Sequence, residues 1–310
     1  SIYNQNYNSD ANVVFKNFLN FEEVKKKWLT NNNLNNMSEG FIPIQQVTGC
    51  LGNHWPLFYY LIYKELIQKN NNSSNLLLHD SSKITNPPLF KYFNPRINVI
   101  KSSKLYDKLN FLYEINKIPM EFTLPYEGKH YPWFASINFI NQKLKNEKDP
   151  TKYFFKLSKE DHSKGEEILK EIGLPKNSWY VTLHVREGVG NELFNADPLT
   201  YLKAIKKITS HGGYVFRVGD KTMTKLPKIK NFIDYPFTKF KSKFMDVFLA
   251  ATGKFCIGTS SGYWSLPTFF KKPVLLTNYL PPLDYFSLRD DSLFLPKKLI
   301  NKQKKSKLIL

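Results

Sequence analysis

The stretch YVTLHVREGVGNELFNADPLTY, residues 180–201, decides the fold of the second half of the chain. It begins as a buried strand, because its apolar residues alternate through Val181, Leu183 and Val185. His184 and Arg186 interrupt this run, and a Gly-Val-Gly turn at 188–190 follows. The pattern predicts a core strand whose end presents an imidazole and a guanidinium to a glycine loop.

Strands and helices alternate on both sides of this stretch. Ser158 and Gly173 bound a predicted helix before it, and Asp197-Pro198 is typical of a helix start after it. The remaining predicted elements are a strand at 214–218, a helix at 244–253, a strand at 254–258, a short helix at 261–270 and a final strand at 273–277. This alternation predicts a parallel, doubly wound α/β sheet.

The first half carries a weaker version of the same pattern. A strand at 41–47, a helix at 56–68 and strands at 75–80 and 97–100 form a βαβ signature. The sequence therefore predicts two Rossmann-like domains facing a cleft. The predicted division is a lead-in at 1–40, an N-terminal domain at 41–150, a C-terminal domain at 151–300 and a basic tail at 301–310.

The net charge and the composition limit the classes of binding partner that are expected. The 310 residues carry a formal net charge of +19, which predicts an anionic partner such as a phosphate-bearing substrate, nucleic acid or an acidic membrane surface. A Lys- and Asn-rich sequence from an AT-rich genome explains the same charge equally well. Of 45 basic residues only four are Arg (Arg96, Arg186, Arg217 and Arg289), so an Arg that is retained indicates planar, bidentate recognition.

Cysteine usage and hydropathy indicate a cytoplasmic protein. Cys50 and Cys256 are far apart in apolar surroundings, which predicts neither disulfides nor a metal site. No signal peptide and no apolar run of membrane-spanning length occur. The lysines at 297–307 predict peripheral contact with the anionic inner face of the membrane, although a solvated tail explains them as well.

The carboxyl ends of parallel strands share one edge of a sheet, where ligands bind. The predicted strands of the second half end in HVREG, RVGD and GTSSG, so Arg186, Arg217, Gly219 and Asp220 are expected near one another. Arg186 and Arg217 predict diphosphate binding. The alternatives are an Arg186–Glu187 ion pair, a packing role for His184 and a simple turn at Asp220.

Small hydroxyls follow the strand at 254–258. Thr259, Ser260, Ser261 and Gly262 precede a short helix, and such a helix start favours phosphate. An ordinary helix cap is the alternative.

In the first half, the segment GCLGNHW places Gly49, Gly52, Asn53 and His54 in a predicted binding loop after a strand. It lacks both the full dinucleotide fingerprint and the P-loop. Glu187, Asp197 and Glu192 are the nearest candidates for a general base, although each also reads as an ordinary loop carboxylate.

These residues resemble a largely uncharacterised bacterial family of proposed glycosyltransferases, itself distantly similar to protein O-fucosyltransferases. The resemblance covers residues 45–100 and 175–300, above all YVTLHVREG, NADPLTYLKAIKKITSHGGYVFRVGD and the stretch from Phe244 to Asn278. The chain departs from the family at Glu187, where fucosyltransferases have a second basic residue, and at Phe194, where Arg is common. The family pattern tends to continue past residue 300, where this chain has a Lys-rich tail, and the resemblance leaves open whether a C-terminal piece is missing.

The resemblance implies a GT-B-like fold with the acceptor on the N-terminal domain and the nucleotide sugar on the C-terminal one. His184 and Arg186 then match the His-x-Arg motif that contacts the donor diphosphate, and Gly49, Gly52 and Asn53 match a loop lining the cleft. The expected activity is inverting transfer of a sugar to a glycan, lipid-linked or surface-polysaccharide acceptor, with no cofactor and no metal. A non-catalytic nucleotide- or polyanion-binding module is the alternative. Nucleic acid is not an expected partner, because no recognition motif is present.

Overall fold

The computed structural model describes residues 51–115, 123–188, 192–280 and 291–301, together with 23, 27–28, 30–31, 42–43 and 306–308. The chain divides into two compact units. The first comprises residues 1–49, 56–85 and 93–146, and the second comprises 50–55, 86–92 and 147–310. Most of the predicted lead-in at 1–40, Gly49 and most of the predicted basic tail at 301–310 lie outside the described residues.

The helices and strands follow in chain order. The α-helices are α1 (His54–Leu66), α2 (Pro87–Phe90), α3 (Ser103–Ile115), α4 (Trp133–Lys145), α5 (Lys159–Ile172), α6 (Leu202–Ser210), α7 (Lys243–Thr252) and α8 (Ser265–Phe269). The strands are β1 (Ile42–Pro43), β2 (Ser74–Leu78), β3 (Ile97–Lys101), β4 (Thr123–Tyr126), β5 (Lys129–Pro132), β6 (Tyr180–Leu183), β7 (Tyr214–Arg217), β8 (Phe232–Asp234), β9 (Cys256–Gly258), β10 (Val274–Tyr279), β11 (Leu293–Pro296), β12 (Leu299–Asn301) and β13 (Ser306–Leu308).

The first unit contains a parallel sheet in the order β1-β2-β3 and an antiparallel β4–β5 hairpin. The βαβ prediction is confirmed, because β1 and β2 pair in parallel and α1 connects them. Leu57, Phe58, Leu61 and Ile62 of α1 are almost fully buried at helical spacing. Arg96 pairs with Glu65 through two hydrogen bonds of 2.6 and 2.8 Å.

The second unit is built on a six-stranded sheet in the order β11-β10-β9-β6-β7-β8. Every pairing in it is parallel. The chain enters at the central strand β6, runs outward to β8 and returns to β9 on the other side of β6. This is the doubly wound arrangement that the sequence predicts.

Caps on the helix before β6 match the prediction residue by residue. The Ser158 hydroxyl accepts a hydrogen bond from the Asp161 amide, and Gly173 ends the helix at a φ of +92°. Two edge strands, β8 and β11, are absent from the sequence prediction, and 273–277 is therefore not the final strand. Both are short or exposed, with no residue buried, so they lack the apolar pattern of core strands.

The two faces of β6 have different neighbours. Val181, Leu183 and Val185 pack with Ile205 of α6 on one face. On the other face the Tyr180 hydroxyl donates to the Leu249 carbonyl of α7 at 3.4 Å. No helix in the described part of the chain has the length and hydrophobicity that crossing a bilayer requires.

Candidate functional site

The loops at the carboxyl edge of the six-stranded sheet lie next to one another, as predicted. The His184 amide donates to the Ile257 carbonyl at 2.9 Å, and the Val218 amide donates to the Leu183 carbonyl at 2.9 Å. The Arg186 amide donates to the Thr259 hydroxyl at 2.9 Å. These bonds join the ends of β6, β7 and β9 into one surface, whose side chains decide what it can bind.

His184 stands at this edge as a neutral imidazole. Its ring stacks on Tyr263 with the centroids 5.4 Å apart and the planes 10° from parallel. Burial lowers the pKa of His184 to about 4, and the nearby positive charges of Arg217, Arg186 and Lys241 add to this, partly offset by Asp220. Its Nδ1 is buried and has no hydrogen-bond partner among the described residues.

Arg186 follows two residues later with its guanidinium uncommitted. It makes no ion pair with any residue that the structure describes, and its Nε is buried without a hydrogen-bond partner. The expected alternative, a pair with Glu187, is therefore not observed. A partly buried guanidinium without a counter-charge is costly in the free protein, and an anionic ligand would relieve that cost.

Arg217 requires a correction. Its side chain has 0% exposure, and its guanidinium pairs with Glu187 at 2.5 Å and with Asp234 at 3.2 Å. A guanidinium that is fully buried and paired with two carboxylates has no surface with which to touch a donor, so direct donor binding by Arg217 does not fit this structure. Glu187 is committed to the same pair, and this does not fit its predicted role as a general base.

Asp220 forms the tight turn that the alternative interpretation expects. Its Oδ1 accepts from the Thr222 amide at 2.8 Å and from the Thr222 hydroxyl at 2.5 Å. These hydrogen bonds lower the pKa of Asp220. Gly219 adopts a φ of +146°, and a Cβ there would lie 2.0 Å from the Met223 sulfur, so only glycine fits at this position. The exposed Asp220 carboxylate is held beside His184.

The hydroxyl groups after β9 are mostly occupied, which corrects the predicted phosphate-binding helix start. The Thr259 hydroxyl accepts from Arg186, and Thr259 itself is fully buried. The Ser260 hydroxyl exchanges hydrogen bonds with the Leu280 backbone at 3.0 and 2.7 Å. Ser261 makes no side-chain cap to the 3₁₀ turn Gly262–Trp264. Thr259 and Ser260 therefore hold the loop together.

The glycine loop ahead of α1 meets the turn after β9. A Cβ on Gly262 would lie 2.4 Å from the Gly52 nitrogen, so the two backbones approach closely. His54 is fully buried with its Nδ1 3.1 Å from the Leu51 carbonyl oxygen. That burial corrects the expectation that His54 lines a cleft. Asn53 ends the 3₁₀ turn Leu51–Asn53, and Gly49 lies outside the described residues.

Lys241, Asp246 and Tyr263 are site neighbours that the sequence analysis missed. Lys241 binds both carboxylate oxygens of the buried Asp246. Burial raises the pKa of Asp246, while the Lys241 charge opposes the rise. The Tyr263 hydroxyl donates to the Asp246 carbonyl at 3.4 Å, which fixes the ring beneath His184. The spacing from Lys241 to Asp246 spans the start of α7, and such a pair has no signal in the sequence alone.

A pocket of about 500 Å³ opens beside Glu187 on the α6 side of the edge. Its lining contains two carboxylates and no cation: Glu187, Gly188, Asn195, Ala196, Asp197, Pro198, Leu199 and Thr224. Arg186 is not among these lining residues, and such a lining does not favour a diphosphate, so the pocket is not the proposed donor site. Asp197 caps the following turn by accepting from the Leu199 amide at 2.9 Å, and Glu192 is exposed.

Lys297 corrects the expectation of a wholly free basic tail. Its Nζ donates to the carbonyls of Leu193, at 2.7 Å, and Asn195. Desolvation lowers its pKa. It therefore holds the loop after β6 and is not available to a membrane, whereas Lys298 is exposed. Among the described residues no group of three or more His, Cys, Asp or Glu side chains has the arrangement of a metal site.

Comparison with known proteins shows a similarity of fold. The glycosyltransferase family 9 structure from Veillonella parvula DSM 2008 superposes with a TM-score of 0.54 at 11% identity, covering 82% of this chain and 86% of that one. The chain shares its fold with a glycosyltransferase. E. coli ADP-heptose lps heptosyltransferase II gives a TM-score of 0.49 at 13% identity, covering 82% of this chain and 89% of that one. No family model and no curated protein sequence matches the chain.

The predicted α/β, GT-B-like fold class is confirmed by the parallel sheets and by this likeness. The resemblance to O-fucosyltransferases stays a prediction. So do the roles in catalysis and donor binding given to His184, Arg186 and Asp220.

Proposed function

We propose that the protein is a glycosyltransferase that moves a sugar from a nucleotide-sugar donor to a glycan, lipid-linked or surface-polysaccharide acceptor. The observation that carries this proposal is the uncommitted Arg186 guanidinium at the carboxyl edge of the doubly wound sheet. Ligands of open α/β sheets bind at this edge. The fold shared with a glycosyltransferase supports the same reaction class.

Arg186 binds the donor diphosphate through two parallel N–H···O bonds. During transfer the bond between the anomeric carbon and the diphosphate oxygen breaks, and the electron pair leaves with the nucleoside diphosphate. The acceptor hydroxyl attacks the anomeric carbon and gives its proton to bulk water, with inversion as the expected outcome. Arg186 offsets the negative charge that develops on the leaving oxygen, which is an effective form of electrostatic catalysis.

His184 contributes a hydrogen-bonding nitrogen without a fixed charge. Its Nδ1 is buried without a partner among the described residues, so a donor oxygen that reaches the ring would satisfy it. An anion bound beside the imidazole raises its pKa, so that binding and proton uptake are linked. The free Asp220 carboxylate oxygen accepts from a donor hydroxyl in this scheme. A cytoplasmic location, peripheral contact with the inner membrane face and the absence of a cofactor or metal remain part of the proposal.

The experiment has two stages. First, thermal unfolding is recorded with a panel of nucleoside diphosphates, and one base is expected to raise the Tm. Second, release of free diphosphate from the corresponding nucleotide sugars is measured with and without bacterial glycolipid and polysaccharide acceptors. Release that depends on an acceptor supports the enzyme, whereas binding without turnover supports a nucleotide-binding module.

Arg186→Ala is expected to abolish diphosphate release and to leave the Tm of the free protein unchanged or slightly raised, because the side chain is partly buried and makes no ion pair within the described chain. Lys221→Ala is the matched control, since it removes one exposed positive charge from the same edge. Full turnover by Arg186→Ala would refute the role given to Arg186. Steeply salt-dependent binding of any DNA, with no response to nucleotides, would refute the transferase proposal.

A further inference from the structure

A chain of ion pairs centred on the buried Arg217 begins at the residue after Arg186. The next residue, Glu187, places Oε2 2.5 Å from Nη2 of Arg217. Its two carboxylate oxygens also accept from the Thr224 amide at 3.3 Å. The first residue after the uncommitted Arg186 is therefore held both by an ion pair and by a backbone amide.

The chain continues from Arg217 to the edge of the sheet. Its Nη1 donates to Asp234 Oδ1 at 3.2 Å and also to the Thr224 carbonyl. The second oxygen of Asp234 accepts from the Leu226 amide at 2.9 Å. Arg217 thus ties the loop after β6 to the loop after β7 and to the end of β8.

The backbone of Arg186 is held on both sides. Its amide donates to the Thr259 hydroxyl at 2.9 Å, and its carbonyl accepts from the Ala196 amide at 3.0 Å. Beyond Glu187 comes Gly188, which adds no side-chain restraint. Thr259, Ala196 and the paired Glu187 therefore together fix the segment that carries the Arg186 side chain.

We propose that Arg217 is a positioning residue that holds Glu187 and thereby aims the Arg186 guanidinium at the donor diphosphate. This proposal rests on the proposed function of the edge. A guanidinium presents five donors in a rigid fork, so one side chain spans two carboxylates and a carbonyl at once. A lysine has no such reach, which gives a physical reason for an Arg here in a chain that otherwise uses Lys.

The first test needs no substrate. The chain has four Arg residues, so its Arg Nε–Hε NMR spectrum contains at most four side-chain signals, each assignable by one Arg→Lys substitution. Because Nε of Arg186 is buried, its proton is protected from exchange with solvent. Arg217→Lys is expected to shift and broaden the Arg186 signal. Arg96→Lys, which breaks a bidentate pair in the first unit, is the matched control and is expected to leave that signal unchanged.

The second test is a double-mutant cycle on binding of the nucleoside diphosphate and of the matching nucleoside. Arg217→Lys is expected to weaken diphosphate binding about tenfold and leave nucleoside binding unchanged. In the Arg186→Ala background the same substitution is expected to cost nothing further. If Arg217→Lys does not fold, Glu187→Gln, which retains the shape of the side chain, takes its place.

The outcomes separate the two proposals. If the losses of diphosphate affinity in the two single variants add up in the double variant, or if Arg217→Lys weakens nucleoside and diphosphate binding equally, the positioning proposal is overturned. The proposed transferase function is unaffected by either result. If the unsubstituted protein binds no nucleoside diphosphate, the proposed function falls, and the NMR signal alone decides whether Arg217 orders Arg186. An Arg186 signal that is identical in Arg217→Lys overturns the positioning proposal in either case.

Discussion

The imidazole of His184 lies almost parallel to the ring of Tyr263, with the centroids 5.4 Å apart and the planes inclined by 10°. This stacking holds a titratable ring in surroundings that disfavour its charged form. It links the acid stability of the fold to the same ring that faces the proposed donor.

We expect the free energy of unfolding to fall by about 2 kcal/mol between pH 7 and pH 5 on account of His184. Burial lowers its folded pKa to about 4 from the ordinary 6.5. Between these values the unfolded chain binds the proton and the folded chain does not, so stability is lost as the pH falls. Urea unfolding at both pH values measures the loss, and His184→Phe should remove that share of it. An equal loss in both proteins would contradict the assignment.

Nucleoside diphosphate binding should take up protons at pH 5.5. The bound anion raises the pKa of His184 from about 4, so a ring that is neutral in the free protein becomes partly protonated in the complex. Calorimetry in two buffers of different ionisation enthalpy measures this uptake. The His184→Phe variant corrects for protonation of the nucleotide itself, and an identical uptake in that variant would exclude His184 as the acceptor of the proton.

Gly262→Ala should destabilise the protein by about 1 to 3 kcal/mol, the usual cost of overpacking. The added Cβ would lie 2.4 Å from the Gly52 nitrogen, and a backbone atom there cannot move aside cheaply. Gly188→Ala is the control, because its Cβ would approach only the Asn195 side chain, at 4.0 Å. Chemical denaturation compares the two, and equal stabilities would argue against the close approach of the two turns.

Lys241→Met should lower the free energy of unfolding by about 2 to 4 kcal/mol at pH 7, because the buried Asp246 carboxylate loses its counter-charge. The pKa of Asp246, already raised by burial, rises further in this variant, so the folded state binds a proton more readily than the unfolded one. The penalty should therefore shrink as the pH falls toward 4. Lys239→Met removes an exposed charge nearby and should show no such pH dependence.

Ser158→Ala should cost about 1 kcal/mol, since it removes the side chain that accepts from the Asp161 amide at the start of α5. Ser163 lies exposed within the same helix, and Ser163→Ala should be neutral or slightly stabilising. Thermal unfolding of the two variants separates loss of the cap from the general effect of replacing serine.

Local chemistry explains which parts of the fold were predictable. Ser158 and Gly173 carry their own capping signals, and the apolar alternation through Val181, Leu183 and Val185 identifies the central strand. The edge strand Phe232–Asp234 has only partly buried residues, so its sequence contains no comparable pattern. Its place in the sheet comes from pairing with β7, and tertiary pairing of this kind is not encoded by a local period.

The location of the site was predictable from the sequence, but the contacts of its individual side chains were not. Parallel topology alone brings His184, Arg186 and Asp220 to one edge. Which of two arginines remains unpaired depends on carboxylates distant in sequence, since Asp234 lies 17 residues from Arg217. From the local sequence alone, Arg186 and Arg217 are equally good candidates for binding a ligand. Only the packing of the folded chain shows that Arg217 is paired and Arg186 is not.

The second unit is assembled from three separate pieces of the chain, because residues 50–55 and 86–92 belong to it together with 147–310. Trp55 packs on Trp264 and Phe269, and the Asn86 side chain donates to the Lys243 carbonyl at 3.2 Å. During synthesis these early segments cannot form their contacts until more than a hundred later residues have been made. An expressed fragment that starts at 147 would therefore lack the Trp55 ring that packs on Trp264 and Phe269, so expression of this unit on its own calls for a circularly permuted gene that includes both short segments.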